Sequence, residues 1–89
     1  MHKYSFEKLD VWVISKEFTK KIYQVTSSFP ETEKFGLISQ LRRASVSICS
    51  NIAEGTSRLS YKEKAHFSTM AYSSAIEVLN QLIICYELG

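Results

Sequence analysis

Val11, Ile14, Phe18, Ile22 and Val25 recur at steps of three and four, the spacing that aligns side chains along one face of an α-helix. The same spacing returns twice. Leu37, Leu41, Ala44, Ser45, Ile48 and Ile52 form a second row, and Ala71, Ala75, Val78, Leu79, Leu82 and Tyr86, with Phe67 beside them, form a third. Little interrupts these rows, since Pro30 is the only proline and there are three glycines in 89 residues. The pattern predicts helices over about 6–27, 30–55 and 61–88 of one domain spanning 1–89. Proline is tolerated in a first helical turn, Ser28 and Glu31 have capping-box spacing, and Ser60-Tyr61-Lys62-Glu63 repeats that signature. Gly36 marks a weak point in the second helix, and Glu17 with Lys21 has the spacing of a surface ion pair in the first.

Short connections make consecutive helices antiparallel, so the expected fold is an all-α, up-and-down bundle. Its helices, of roughly 22 to 28 residues, span on the order of 33 to 42 Å. Two features ask for more apolar cover than three helices supply. Leu9, Trp12, Thr19 and Tyr23 form a second stripe on the first helix, with Lys16 among them, and Leu82-Ile83-Ile84-Cys85-Tyr86 is apolar on every side. Gly89 stands where a helix C-cap would lead into another element. The expectation is a bundle of the four-helix type with three long helices in this chain, the fourth truncated or supplied by a partner.

Composition narrows the function classes. A formal charge of +2 permits nucleic-acid binding without announcing it. The amino-terminal MHKYSFEKLD carries charges where a signal peptide needs an apolar core, which points to the cytoplasm. No run reaches the roughly 18 apolar residues of a membrane span. Cys49 and Cys85 lack metal-ligand spacing and read as reduced thiols used as small apolar residues.

Several motifs carry a resemblance. They are Phe6, Leu9, Val11 and Trp12; Phe29-Pro30, Glu33, Gly36 and Leu37; Gln40-Leu41-Arg42-Arg43-Ala44, Ser47-Ile48 and Asn51-Ile52-Ala53-Glu54-Gly55; then Phe67, Ala71, Ser74 and Glu77. In this register over some eighty positions the chain resembles the 23S rRNA intervening-sequence proteins, small bacterial four-helix-bundle proteins. Cys49 stands where many relatives have proline, and the chain ends where the family continues into its fourth helix. The resemblance implies no established enzyme chemistry. Through a related branch, the accessory proteins of diversity-generating retroelements, it implies a homo-oligomer, a pentamer, that engages nucleic acid and a protein partner.

The residues themselves offer five cations. Arg42 and Arg43 lie on different sides of the second helix, with Arg42 beside Val46, Cys49 and Ala53 and Arg43 pointing outward near Gln40, Ser47 and Glu54. Residues 42 to 64 hold Arg42, Arg43, Arg58, Lys62 and Lys64 against Glu54 and Glu63, a local excess of +3. Around a ring of subunits the loop carrying Arg58, Lys62 and Lys64 would form a basic rim. Leu9, Trp12, Tyr23, Arg42 and Asn51 are the expected oligomer contacts, Asn51 as a buried amide that fixes register. Trp12 and Tyr23 could also stack bases. The small residues Ala44, Ser45, Ser47, Ser50 and Ala53 let neighbouring backbones approach closely.

An enzyme finds little support. Glu63-x-x-His66 is half of a di-iron bundle motif, but the second half is missing. No nucleophile motif or glycine-rich phosphate loop occurs, so no catalytic residue, cofactor or metal is expected. The leading expectation is a non-enzymatic, self-associating bundle that binds RNA or DNA. The alternative is a protein–protein scaffold or accessory subunit without nucleic-acid binding.

Overall fold

The computed structural model describes residues 4–30 and 34–88. Among these residues the chain is helical and contains no strand. A 3-10 turn, Ser5–Lys8, precedes α1, Asp10–Thr26; a π-helical turn, Lys34–Ile38, leads into α2, Ser39–Thr56; and α3 spans Tyr61–Leu88.

Local chemistry sets the ends of these elements. The Tyr4 amide donates to the Glu7 carboxylate at 2.6 Å, closing the first turn. Leu9 is then extended (φ −79°, ψ 128°), so the expected first helix is split and its long part begins at Asp10. The break lets Phe6 fold back edge-on to Trp12, 5.1 Å between ring centroids. At the other end of α1, the hydroxyls of Thr26, Ser27 and Ser28 donate to the carbonyls of Ile22, Gln24 and Val25 at 2.7, 2.7 and 2.8 Å. Such bonds compete with the helical ladder and help end it before Pro30. The expected Ser28–Glu31 cap has its second member outside the described residues. Gly36 falls within the π turn, a wide turn rather than a break. Ser60 caps α3: its hydroxyl accepts the Glu63 amide at 3.1 Å and donates to the Glu63 carboxylate at 3.2 Å.

α2 packs on both α1 and α3, which scarcely touch each other. The three helices therefore form a shallow trough, 43 × 31 × 19 Å overall. Its core is Ile22, Leu41, Ala44 and Val78, with Phe29, Ile48, Leu82 and Cys85 packed against it.

The buried face of α1 is not the row that periodicity favoured. Ser15, Ile22 and Thr26 are buried, whereas Val11, Ile14, Phe18 and Val25 are exposed. The reason is size at the closest approach. The Thr19 hydroxyl lies 2.9 Å from the Ser15 carbonyl, 3.1 Å from the Ser45 carbonyl and 3.4 Å from the Cys49 sulfur. Larger side chains at these positions would hold the two backbones apart. α3 makes the same substitution: Ala71, Ser74, Val78 and Gln81 face inward, while Ala75, Leu79 and Tyr86 are exposed. On α2, Leu41, Ala44 and Ser45 are buried and Leu37, Ile48 and Ile52 are half-buried, close to expectation. Glu17 does not meet Lys21 but pairs with Lys20 at 3.4 Å and Lys16 at 3.9 Å, all on the exposed side of α1.

Candidate nucleic-acid interface and the open apolar face

Arg42 reaches across from α2 to the last turn of α1. Its Nε donates to Thr26 Oγ1 at 2.9 Å, an Nη donates to the Tyr23 carbonyl at 3.3 Å, and its guanidinium lies 4.6 Å from the centroid of the Tyr23 ring. A helix C-terminus carries unpaired carbonyls and the negative end of the macrodipole, so a cation there is favourable. Arg42 and Tyr23, both expected at a subunit contact, thus meet each other within one chain. Arg43, one residue on, is exposed and forms no hydrogen bond or ion pair among the described residues.

The other three cations lie at the opposite end of α2, about 20 Å from Arg43 by helical rise. Arg58 is engaged by the fold. Its guanidinium lies 4.6 Å from the Phe67 ring centroid, and an Nη is 3.9 Å from the Glu54 carboxylate. The buried Nε of Arg58 has no hydrogen-bond partner among the described residues. Phe67 in turn lies over Gly55, where an added Cβ would come within 3.0 Å of the Phe67 Cβ. Gly55 is needed there because α2 and α3 converge on it. Lys62 and Lys64 are exposed and make no ion pair among the described residues. The structure therefore separates the five cations into two committed to packing, Arg42 and Arg58, and three without partners among the described residues, Arg43, Lys62 and Lys64. Of the unpartnered cations, only Lys62 and Lys64 lie together.

Asn51 is 7% exposed, and its amide donates to the Ser47 carbonyl at 2.9 Å and lies 3.1 Å from the Ser47 hydroxyl. Ser74 of α3 donates to that hydroxyl at 2.9 Å. Gln81 lies 3.3 Å from both the Gln40 and Glu77 side-chain oxygens. Going up α2 through residues 40, 47 and 55 therefore matches going down α3 through 81, 74 and 67. Steps of about seven residues are the repeat of an interhelical seam. Sequence reasoning picked out Asn51 and named Ser74 only among the residues of the family resemblance; it missed Gln81, whose polarity hid it from a search for apolar rows.

Asn51 also floors an open cleft of about 400 Å³ between the amino-terminal parts of α1 and α3, walled by Leu9, Val11, Ile52 and Ala71 and bordered by Lys64. Beyond this cleft, Ile14 and Phe18 of α1 and Leu79, Ile83 and Tyr86 of α3 are exposed. Trp12 is half-buried, against Phe6, with the Lys16 ammonium 5.4 Å from its ring centroid. Two large side chains that the sequence analysis passed over stand at the α2–α3 connection: Leu59 is 97% exposed and Tyr61 91%. Their signal was available, as large apolar residues within a polar turn.

Other chemistry is thinly represented. Glu63 is occupied with the Ser60 cap, and His66 lies edge-on to Phe67, 5.5 Å between ring centroids. Among the described residues no group of three or more His, Cys, Asp or Glu side chains is placed to hold a metal ion. No helix among them is long and apolar enough to cross a membrane.

The chain matches the family model described as 23S rRNA-intervening sequence protein over residues 7–89. A search of curated proteins gave no match.

Proposed function

We propose, for a chain that belongs to the 23S rRNA-intervening sequence protein family, that it works without catalysis as one subunit of a helical assembly that binds RNA or DNA. One arrangement carries this reading. α1 and α3 each leave large apolar side chains exposed, while Lys62 and Lys64 at one end of the same bundle make no ion pair among the described residues. Ile14 is 68% exposed, Leu79 54% and Ile83 53%. Exposed apolar rows of this kind fit a packed helix better than water. A fourth helix is the proposed cover, provided by a partner or by a segment beyond those described here, and a homo-oligomeric ring, of five subunits by family resemblance, is the proposed assembly. In such a ring the α2–α3 connection of each subunit repeats around one rim. The repeated Lys62 and Lys64, with Arg58 behind them and Arg43 further along α2, then form a field that attracts phosphates. The proposed setting is the cytoplasm.

A second reading is supported by Arg42 and Arg58, which are consumed in packing. If interfaces engage the remaining cations too, the assembly is a protein scaffold or accessory subunit that binds no nucleic acid.

Two measurements separate these readings. Light scattering on the purified protein should give a mass several times the 10.2 kDa of one chain; a monodisperse monomer overturns the assembly. Labelled RNA titrated at about 50 and 200 mM salt should bind at the lower concentration and weaken steeply at the higher one, as counterion release requires. Absence of binding at the lower concentration leaves the scaffold.

A further inference from the structure

The α2–α3 connection presents its two largest apolar side chains to water from a turn that is pinned on both sides. On the α2 side, the Thr56 and Ser57 hydroxyls each donate at 2.7 Å, to the carbonyls of Ala53 and Glu54. The Arg58 amide donates to the Gly55 carbonyl at 3.3 Å. On the α3 side, Ser60 holds the first turn through Glu63, and the Lys64 amide donates to the Ser60 carbonyl at 3.0 Å. Leu59 lies between these two anchored ends at 97% exposure, and Tyr61 opens α3 at 91%. Close to this connection, Phe67 of α3 packs over Gly55 of α2.

Exposed apolar residues scattered singly need no explanation, but these two stand two positions apart in a stretch of the chain rich in cations. Arg58 precedes Leu59, and Lys62 and Lys64 follow Tyr61, the two lysines without ion-pair partners among the described residues. An exposed aromatic ring on an anchored stretch of backbone, with cations close to it in the chain, is the elementary unit of single-strand recognition. The ring stacks on a base while the cations take the flanking phosphates. A duplex keeps its bases stacked inside and offers no free face to such a ring.

We propose that the Leu59–Lys64 tip is a stacking site for unpaired nucleotides, in which Tyr61 stacks on an exposed base, Leu59 packs against the neighbouring base or sugar, and Lys62 and Lys64 contact phosphates. The assignment rests on the nucleic-acid reading above and specifies its ligand as single-stranded nucleic acid. Tyr61 discriminates single strand from duplex, and the lysines contribute affinity without discrimination.

The test uses the 89-residue chain and a fluorescently labelled strand of about 15 nucleotides, alone and as a blunt duplex, at about 50 and 200 mM salt. The wild-type protein should prefer the single strand. Tyr61→Ala should weaken single-strand binding about 5- to 150-fold, the range for loss of one stacked base, with the salt dependence unchanged. Tyr61→Phe should retain binding, and Lys62→Gln with Lys64→Gln should flatten the salt dependence. Tyr61→Ala binding like wild type while the double lysine variant weakens overturns the stacking site and leaves the nucleic-acid reading intact. Wild-type protein that binds neither strand nor duplex at the lower salt overturns both. A Tyr61→Ala protein whose mass in solution changes while its affinity does not shows instead that the tip is a contact between copies, which also overturns the proposal.

Discussion

At the last turn of α1, the Tyr23 carbonyl and the Thr26 hydroxyl are bound by one guanidinium from α2, that of Arg42. Its neighbour Arg43 has no partner among the described residues. Adjacent and chemically identical, the two arginines should respond oppositely to substitution. Arg42→Ala removes a charge-assisted hydrogen bond and a ring contact in a half-buried position, and should cost about 1–2 kcal/mol. Arg42→Lys should recover little, because an ammonium cannot bond two groups in a fork while lying flat on Tyr23. Arg43→Ala should stay within about 0.5 kcal/mol of the parent. Urea denaturation of the three variants checks the contrast. Equal midpoints for the two alanine variants would show that the Arg42 contacts contribute no net stability.

At the scale of elements, the α2–α3 pair is registered by polar as well as apolar contacts. Ser47 and Ser74 meet across the seam, with Asn51 joining from the next turn, and the Gln40–Gln81 contact lies seven residues further along each helix. A double-mutant cycle on Ser47→Ala and Ser74→Ala should return a coupling of about 1 kcal/mol, the net worth of one intramolecular hydrogen bond. Purely additive losses would mean that the two hydroxyls do not meet in solution. The α1–α2 pair is closed differently, by small side chains whose hydroxyls bond to backbone carbonyls of their own or the facing helix. That arrangement allows the serine- and threonine-rich side of α1 to be the inner one. It also leaves the larger apolar side chains on the outside.

At the scale of the whole molecule, those displaced side chains determine what the trough can do. Ile14 on α1 and Leu79 on α3 belong to the open apolar rows and are more than half exposed in the single chain. Replacing both with glutamate should therefore cost the isolated subunit little, within about 0.5 kcal/mol for each exposed position. In an assembly that buries these rows, the same change places unpaired charges in an apolar contact and should dissociate it. The expected outcome by light scattering is a mass reduced to 10.2 kDa with helical circular dichroism retained. An unchanged mass would show that these rows do not form the contact. Nucleic-acid affinity should fall with the assembly, because two lysines on one subunit make a much weaker field than the same pair repeated around a rim.

The sequence by itself determined the all-helical class, the three helical segments and the Ser60–Glu63 start of α3. These depend on residues close together in the chain: periodicity, the scarcity of breakers and a cap spanning four positions. It also placed Arg42 and Arg43 on different sides of α2, since about 100° per residue is fixed by helical geometry alone. Only the tertiary structure decided which faces of α1 and α3 turned inward. On α1 the apolar row lost to Ser15, Thr19 and Thr26, because the distance between two backbones is set by the bulk on both helices at once. The partners of Arg42 were hidden for the same reason, as Tyr23 and Thr26 lie 19 and 16 residues away in the chain. The exposure of Leu59 and Tyr61 was hidden too. An apolar residue in a turn can be buried or exposed, and the choice depends on how the helices on either side of it pack, which residues far apart in the chain decide.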